Sequence, residues 1–202
     1  GWAIKRKFRW LQSHSDVIQK ILRQARKGTN VHFITGNHDE FLRPFVPLLL
    51  GDSLKISNEM EYKASDGKRY FVTHGDFYDS ITMTKKWLAI LGDYGYDLLL
   101  SVNHKFNYIR RFLGIKSKWS LSKYIKDHVK SSVSFITDFE KVLAKHAKHL
   151  DYDGIICGHI HKAQMKNIEG ILYLNCGDWV ESCTALVETT EGKFEIVYWL
   201  ER

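Results

Sequence analysis

Cysteine and proline are scarce in this 202-residue chain, and long apolar runs are missing altogether. The three cysteines, Cys157, Cys176 and Cys183, make an odd count with no C-x-x-C pair. That argues against a disulfide framework or a thiolate zinc site and makes a reducing compartment the expectation. The two prolines, Pro44 and Pro47, sit close together, so no proline-rich linker divides the chain. No 18 consecutive uncharged apolar residues occur; Trp87–Val102 comes nearest and is interrupted by Asp93 and Asp97. No segment therefore reads as a membrane-spanning helix. Residues 1–10 are charged and offer no small-residue cleavage site, so they do not read as a signal peptide. They lack an initiator Met as well, and a preceding segment is expected.

What is present is enough for one folded domain with a possible inserted subdomain: 44% hydrophobic and 13% aromatic residues can build a substantial core. The net charge of +7 is concentrated. Residues 80–150 hold 13 Lys or Arg against 5 Asp or Glu, a difference of +8, which accounts for the whole excess. Such a segment draws phosphates, nucleic acid or anionic lipid, or is simply the solvated face of helices.

The outer thirds read as short β-rich runs between loops. An amphipathic helix is predicted over Ser15–Lys27, with Val17, Ile18, Ile21, Leu22 and Ala25 on one stripe and Gly28 as the stop. Strands are predicted at Val31–Thr35, Arg69–Thr73, Gly154–Cys157, Ile171–Asn175, Thr184–Glu188 and Phe194–Leu200. Asp66-Gly67 marks Arg69–Thr73 as the second arm of a hairpin, and Glu191-Gly192 joins the last two strands. The middle third reads as helix: Ser120–Leu150 spaces apolar residues helically, enough for one helix of roughly 45 Å or two shorter ones. The expected organisation is an α/β core made of 1–79 and 151–202, with 80–150 as a helical insert or cap that recognises substrate.

Three loops share one grammar, a short apolar strand followed by His or Asn packed with Gly and Asp. They are Gly36-Asn37-His38-Asp39, His74-Gly75-Asp76 and Gly158-His159-Ile160-His161. Side chains at the carboxyl ends of neighbouring strands converge on one crevice, and the glycines let the backbone approach closely. Imidazole nitrogen and amide oxygen suit Mn²⁺, Fe²⁺ or Zn²⁺. His159 and His161, at i and i+2, point the same way if the segment is extended. The first two loops alone are common turns and Gly-His-x-His after a strand is moderately specific; the three in this order, each after its own strand, point to a metal centre. The other six histidines are assigned no role.

These motifs resemble those of the calcineurin-like metallophosphoesterases, a sandwich of two mixed β-sheets flanked by helices. The nearest likeness is to the UDP-2,3-diacylglucosamine pyrophosphatases of lipid A synthesis and their relatives. The helical insert and the run Asn175-Cys176-Gly177-Asp178-Trp179-Val180-Glu181-Ser182 add to it. The resemblance implies that Asn37, His74 and His159 hold one divalent metal and that His161 belongs to a second. Manganese is expected first, with iron, zinc or magnesium as alternatives. His38 would face the scissile phosphate, stabilising its charge or protonating the leaving group. The chemistry implied is of the two-metal kind, with in-line attack of water on phosphorus.

In the insert, Arg110, Arg111, Lys123, Lys126 and Lys130 are interleaved with aromatics and would bind a lipid-linked nucleotide diphosphate. The resemblance implies a peripheral enzyme on the inner face of a bacterial cytoplasmic membrane that yields 2,3-diacylglucosamine 1-phosphate and UMP, with nucleic acid not expected as a partner. Two departures stand out. The D-x-H and G-D-x-x-D motifs of the family do not precede Gly36, so the fold is expected to be N-terminally truncated and these 202 residues by themselves to bind metal poorly. Gly75-Asp76-Phe77-Tyr78-Asp79 spells G-D-x-x-D but overlaps the fourth motif and is read as part of it. The best-known pyrophosphatases carry Arg at the place of His38 and Thr within G-H-x-H, so this pattern resembles a sister branch. A soluble phosphodiesterase or nuclease of the same superfamily, or a binding module without catalysis, are the other readings.

Overall fold

The computed structural model describes residues 11–79, 121–180 and 182–201, and only the backbone of 121–134. The chain divides into two compact units, 1–77 with 143–202, and 78–142. All described strands belong to the first.

Helix α1, Gln12–Arg26, ends where Gly28 turns left-handed at φ +93° and its N–H donates to the Ala25 carbonyl at 2.9 Å. Arg23 and Arg26 in its last turn complement the helix dipole. The predicted apolar stripe forms, yet no residue of α1 is buried; Val17, Ile18, Ile21 and Leu22 all stand exposed. Strand β1, Val31–Ile34, then runs parallel to β3, Leu54–Ser57, which pairs antiparallel with β2, Leu48–Leu50.

The larger sheet has five strands in the order β4-β5-β6-β8-β7, with bounds Glu59–Lys63, Arg69–Thr73, Gly154–Cys157, Ile171–Asn175 and Gln164–Ile168 respectively. The three central strands β5, β6 and β8 are parallel; β4 and β7 close the edges antiparallel. Parallel strands covered on both faces read as continuous apolar runs, which is why Tyr70-Phe71-Val72 and Ile155-Ile156-Cys157 lack alternation. On one face Tyr70 and Leu174 are fully buried with Ala64, under Leu186 and Phe194 of the hairpin β9 (Thr184–Glu188) and β10 (Phe194–Tyr198). Tyr70 meets Phe194 edge-on at 5.0 Å between ring centroids. On the other face Phe71 lies 5.4 Å from His146 and 5.6 Å from Tyr152.

His146 belongs to α2, Leu121–His149, a single 29-residue helix rather than two, about 44 Å long. Its last turns bury Leu143, Ala144 and Ala147. No helix among the described residues is long and apolar enough to cross a membrane.

A carboxylate pins the hairpin to the turn that follows β4. Glu188 accepts from the Ser65 hydroxyl at 2.6 Å, from the Ser65 N–H at 2.8 Å, and from the Tyr62 hydroxyl. These donors, the Ser65 hydroxyl first, hold its pKa below the usual glutamate value of 4.5. A depressed folded pKa stabilises the protein above the unfolded value, and that contribution disappears as pH falls through the folded one. Glu188→Gln is therefore expected to flatten the acid limb of melting temperature against pH below 4.5. An unchanged limb in that titration would acquit Glu188.

Candidate metal centre

Each of the three motif loops leaves the carboxyl end of a strand. Strand β1 is followed by Thr35, whose N–H donates to Ser57 O at 3.0 Å and whose hydroxyl donates to Asn58 Oδ1 at 2.5 Å. These bonds tie the exits of β1 and β3 together and fix the start of the next segment. That segment is a 3₁₀ helix, Asn37–Phe45, kinked at Asp39 (φ −111°, ψ 19°). Asn37 and His38 occupy its first turn instead of a plain loop, and both are exposed. Strands β5 and β6 are neighbours, so His74 and Gly158 follow them side by side, and the Gly158 N–H donates to the His74 carbonyl at 3.3 Å.

The geometry brings three of the four expected ligands together. His74 Nε2 lies 3.3 Å from Asn37 Oδ1. The His74 and His159 rings stand edge-on, 5.2 Å between centroids with 71° between their planes. Two donors each about 2.1 Å from one ion, at tetrahedral or octahedral angles, lie about 3.0–3.4 Å apart. The Asn37–His74 spacing matches that separation. Burial first, and then the positive charge of His159, lowers the His74 pKa, although Asp76 and Asp39 pull it the other way. That direction favours the neutral imidazole that a ligand must be. Burial also raises the pKa of the neighbouring Cys176 thiol.

The fourth residue, His161, differs from expectation in one respect. The segment Gly158–His161 is not extended: His159 and His161 both have left-handed backbones, φ +67° and +53°. The rule that i and i+2 side chains share a side in a strand does not apply here. His161 is exposed, and no hydrogen bond or ring contact joins it to the trio among the described residues. Nor is any group of three His, Cys, Asp or Glu side chains among the described residues placed to hold an ion. The trio reaches three donors only through the Asn37 amide. Two imidazoles and an amide fit half of a binuclear centre and bring no anionic ligand.

Several supports carry no clear mark in the sequence. Buried Asn175 at the end of β8 donates to Gly158 O at 2.8 Å and accepts from Gly177 N at 2.9 Å, holding the backbone that presents His159. Asp178 accepts from the Val180 N–H at 2.7 Å and from the Ser182 hydroxyl. The signal available is the Asn-x-Gly-Asp spacing straight after an apolar strand. Of the residues expected to bind substrate, Arg110 and Arg111 lie outside the described residues. Lys123, Lys126 and Lys130 fall on α2, in the stretch where only the backbone is described.

Gly36 gives a sharp test of the arrangement. A Cβ there would come 2.7–3.0 Å from the His74 ring, while its backbone (φ −108°) suits any residue. Gly36→Ala is expected to displace His74 and weaken divalent-ion binding at least tenfold, with a stability loss of only about 1 kcal/mol. Calorimetric titration with Mn²⁺ showing wild-type affinity would contradict this packing.

Residues 9–163, more than half of the chain, match the family described as Calcineurin-like phosphoesterase. The chain belongs to that family. This calcineurin-like phosphoesterase is therefore a hydrolase of phosphoester bonds, and its mixed α/β architecture is the family's. The family generally works with two divalent metals. One solved structure, titled as the structural and functional characterization of a novel archaeal phosphodiesterase, aligns over 83% of this chain and 68% of its own. The identity is 14% and the TM-score 0.37. No curated protein matches the chain.

Proposed function

We propose that this phosphoesterase cleaves the diphosphate of a lipid-linked nucleotide, turning UDP-2,3-diacylglucosamine into 2,3-diacylglucosamine 1-phosphate and UMP at the inner face of a bacterial membrane. The observation that carries the hydrolytic part is the convergence of Asn37, His74 and His159 from two sheets. These three would hold one divalent ion, with manganese our assignment, and His161 would serve a second. Such ions, when bound, offset charge on the phosphoryl oxygens and make water a better nucleophile.

The chain's own residues supply the rest of the reading. His74 would offer an imidazole nitrogen, and Asn37 an amide oxygen that needs no deprotonation. His38, exposed beside Asn37, would donate a ring proton to the leaving oxygen. Support for the lipid-linked diphosphate comes from the composition of the middle segment. Arg110 and Arg111 suit paired phosphate oxygens, and Lys123, Lys126 and Lys130 occupy positions on one face of α2. Interleaved aromatics suit a membrane interface.

The same basic excess of +8 favours one other reading, a soluble phosphodiesterase that grips nucleic acid. Turnover should be compared on UDP-2,3-diacylglucosamine, bis-p-nitrophenyl phosphate and single-stranded DNA. Cleavage of the lipid nucleotide that depends on detergent or vesicles is the expected result. Preference for DNA with a steep fall of binding in salt would replace it with the nuclease reading.

A further inference from the structure

The 3₁₀ helix that carries Asn37 and His38 buries none of its residues. A helix of this type has poor hydrogen-bond geometry and little strength of its own, and this one is kinked at Asp39 and contains Pro44. Something must hold it in register with the loop bearing His74. Arg43 near its far end donates from Nη2 to Asp76 Oδ2 at 2.6 Å, and Asp76 stands two residues after His74. The pair is largely desolvated, with side-chain exposures of 20% and 8%. The same guanidinium lies over the Phe77 ring, 4.1 Å from its centroid. One contact thus spans the two segments that present Asn37 and His74.

We propose that Arg43 and Asp76 are positioning residues, a clamp that sets the separation of Asn37 from His74 and so the affinity of the site for a divalent ion. The inference rests on the proposed metal-binding role of Asn37, His74 and His159. Two further atoms bear on it: Arg43 Nε and Asp76 Oδ1 are buried with no hydrogen-bond partner among the described residues. Each is the unused half of a two-bond fork, so a single hydrogen bond carries the ion pair. Loss of either residue leaves the other charge largely buried and removes the ion pair that joins the helix to the loop bearing His74. The chain on either side of the helix stays fixed, by the Thr35–Asn58 bond before it and by the pairing of β2 with β3 after it.

The test uses the full-length protein in four variants: Asp76→Asn, Arg43→Gln, the swap Arg43→Asp with Asp76→Arg, and His74→Ala as reference. Mn²⁺ affinity is measured by calorimetry, the Co²⁺ absorption spectrum reports ligand geometry, and urea midpoints of the metal-free proteins report the purely structural share. The clamp predicts a 10- to 100-fold loss of affinity and an altered cobalt spectrum in both single variants, with partial recovery in the swap. Single variants that bind Mn²⁺ like wild type, whatever their urea midpoints, overturn it. If His74→Ala loses the ion while the clamp variants keep it, only the clamp falls. If His74→Ala binds like wild type, the metal reading falls and the clamp with it.

Discussion

His74→Ala is expected to lower phosphodiester turnover by about a thousandfold or more, while the protein keeps its fold. The side chain supplies one of three donors that the structure gathers, with Asn37 Oδ1 at 3.3 Å and the His159 ring at 5.2 Å. Metal-assisted charge stabilisation at phosphorus amounts to several kcal/mol, and each 1.36 kcal/mol is about tenfold in rate. Removing an imidazole that half-disables the site should therefore cost at least about 4 kcal/mol of barrier. Asn37→Ala and His159→Ala should fall in the same class. None of the three is in the apolar core, so the melting temperature should change little, by about 1 kcal/mol in stability terms. Steady-state hydrolysis of bis-p-nitrophenyl phosphate at saturating Mn²⁺ measures this. Wild-type rates in any one variant would strike that residue from the site.

The largest effect on stability is expected from Gly154→Ala. Gly154 opens β6 in the middle of the five-stranded sheet, buried between Tyr70 of β5 and Leu172 of β8. A Cβ there would meet the Tyr70 ring at 2.5 Å and the Leu172 carbonyl oxygen at 2.6 Å. A flexible side chain can step aside, but a ladder carbonyl cannot, and Tyr70 is 1% exposed with Phe194 packed against it. Overpacking of this kind costs about 3 kcal/mol, which for a domain of this size lowers the melting temperature by about 6–12 °C. Thermal unfolding followed by circular dichroism decides it. A variant melting within about 2 °C of wild type would show that β5 and β8 do not crowd this position.

The sequence makes some elements legible and hides others for reasons of chemistry. Strands β1, β5, β6, β8, β9 and β10 are apolar runs bounded by turn residues, and they form within a residue or two of their expected ends. The exception is Trp199-Leu200, which leaves the last strand for a short 3₁₀ turn. Strands β2 and β3 are hard to read because Leu48–Leu50 is only three residues long and Lys55 interrupts Leu54–Ser57. Gln164–Ile168 is an edge strand, and edges carry polar residues that erase the alternation. Pro44 disguises the 3₁₀ helix after Gly36, since proline ordinarily ends helices. At the site, Asn37, His74 and His159 can be found because each follows its own strand. Arg43 and Asp76 cannot, because a pairing across 33 residues leaves no local periodicity.

The left-handed backbones at His159 and His161 set heat resistance against chemistry. A residue with a Cβ costs about 1–2 kcal/mol in that region, and glycine avoids the penalty. His159→Gly should therefore give a protein that melts higher and, like His159→Ala, turns over about a thousandfold more slowly. A population of variants selected only for surviving heat would drift toward glycine or asparagine at 159 and 161 and discard its imidazoles on the way. Asp151, Glu169 and Cys183 share that pose; at His159 it is joined by the ring contact to His74, and there backbone comfort and the proposed chemistry pull in opposite directions.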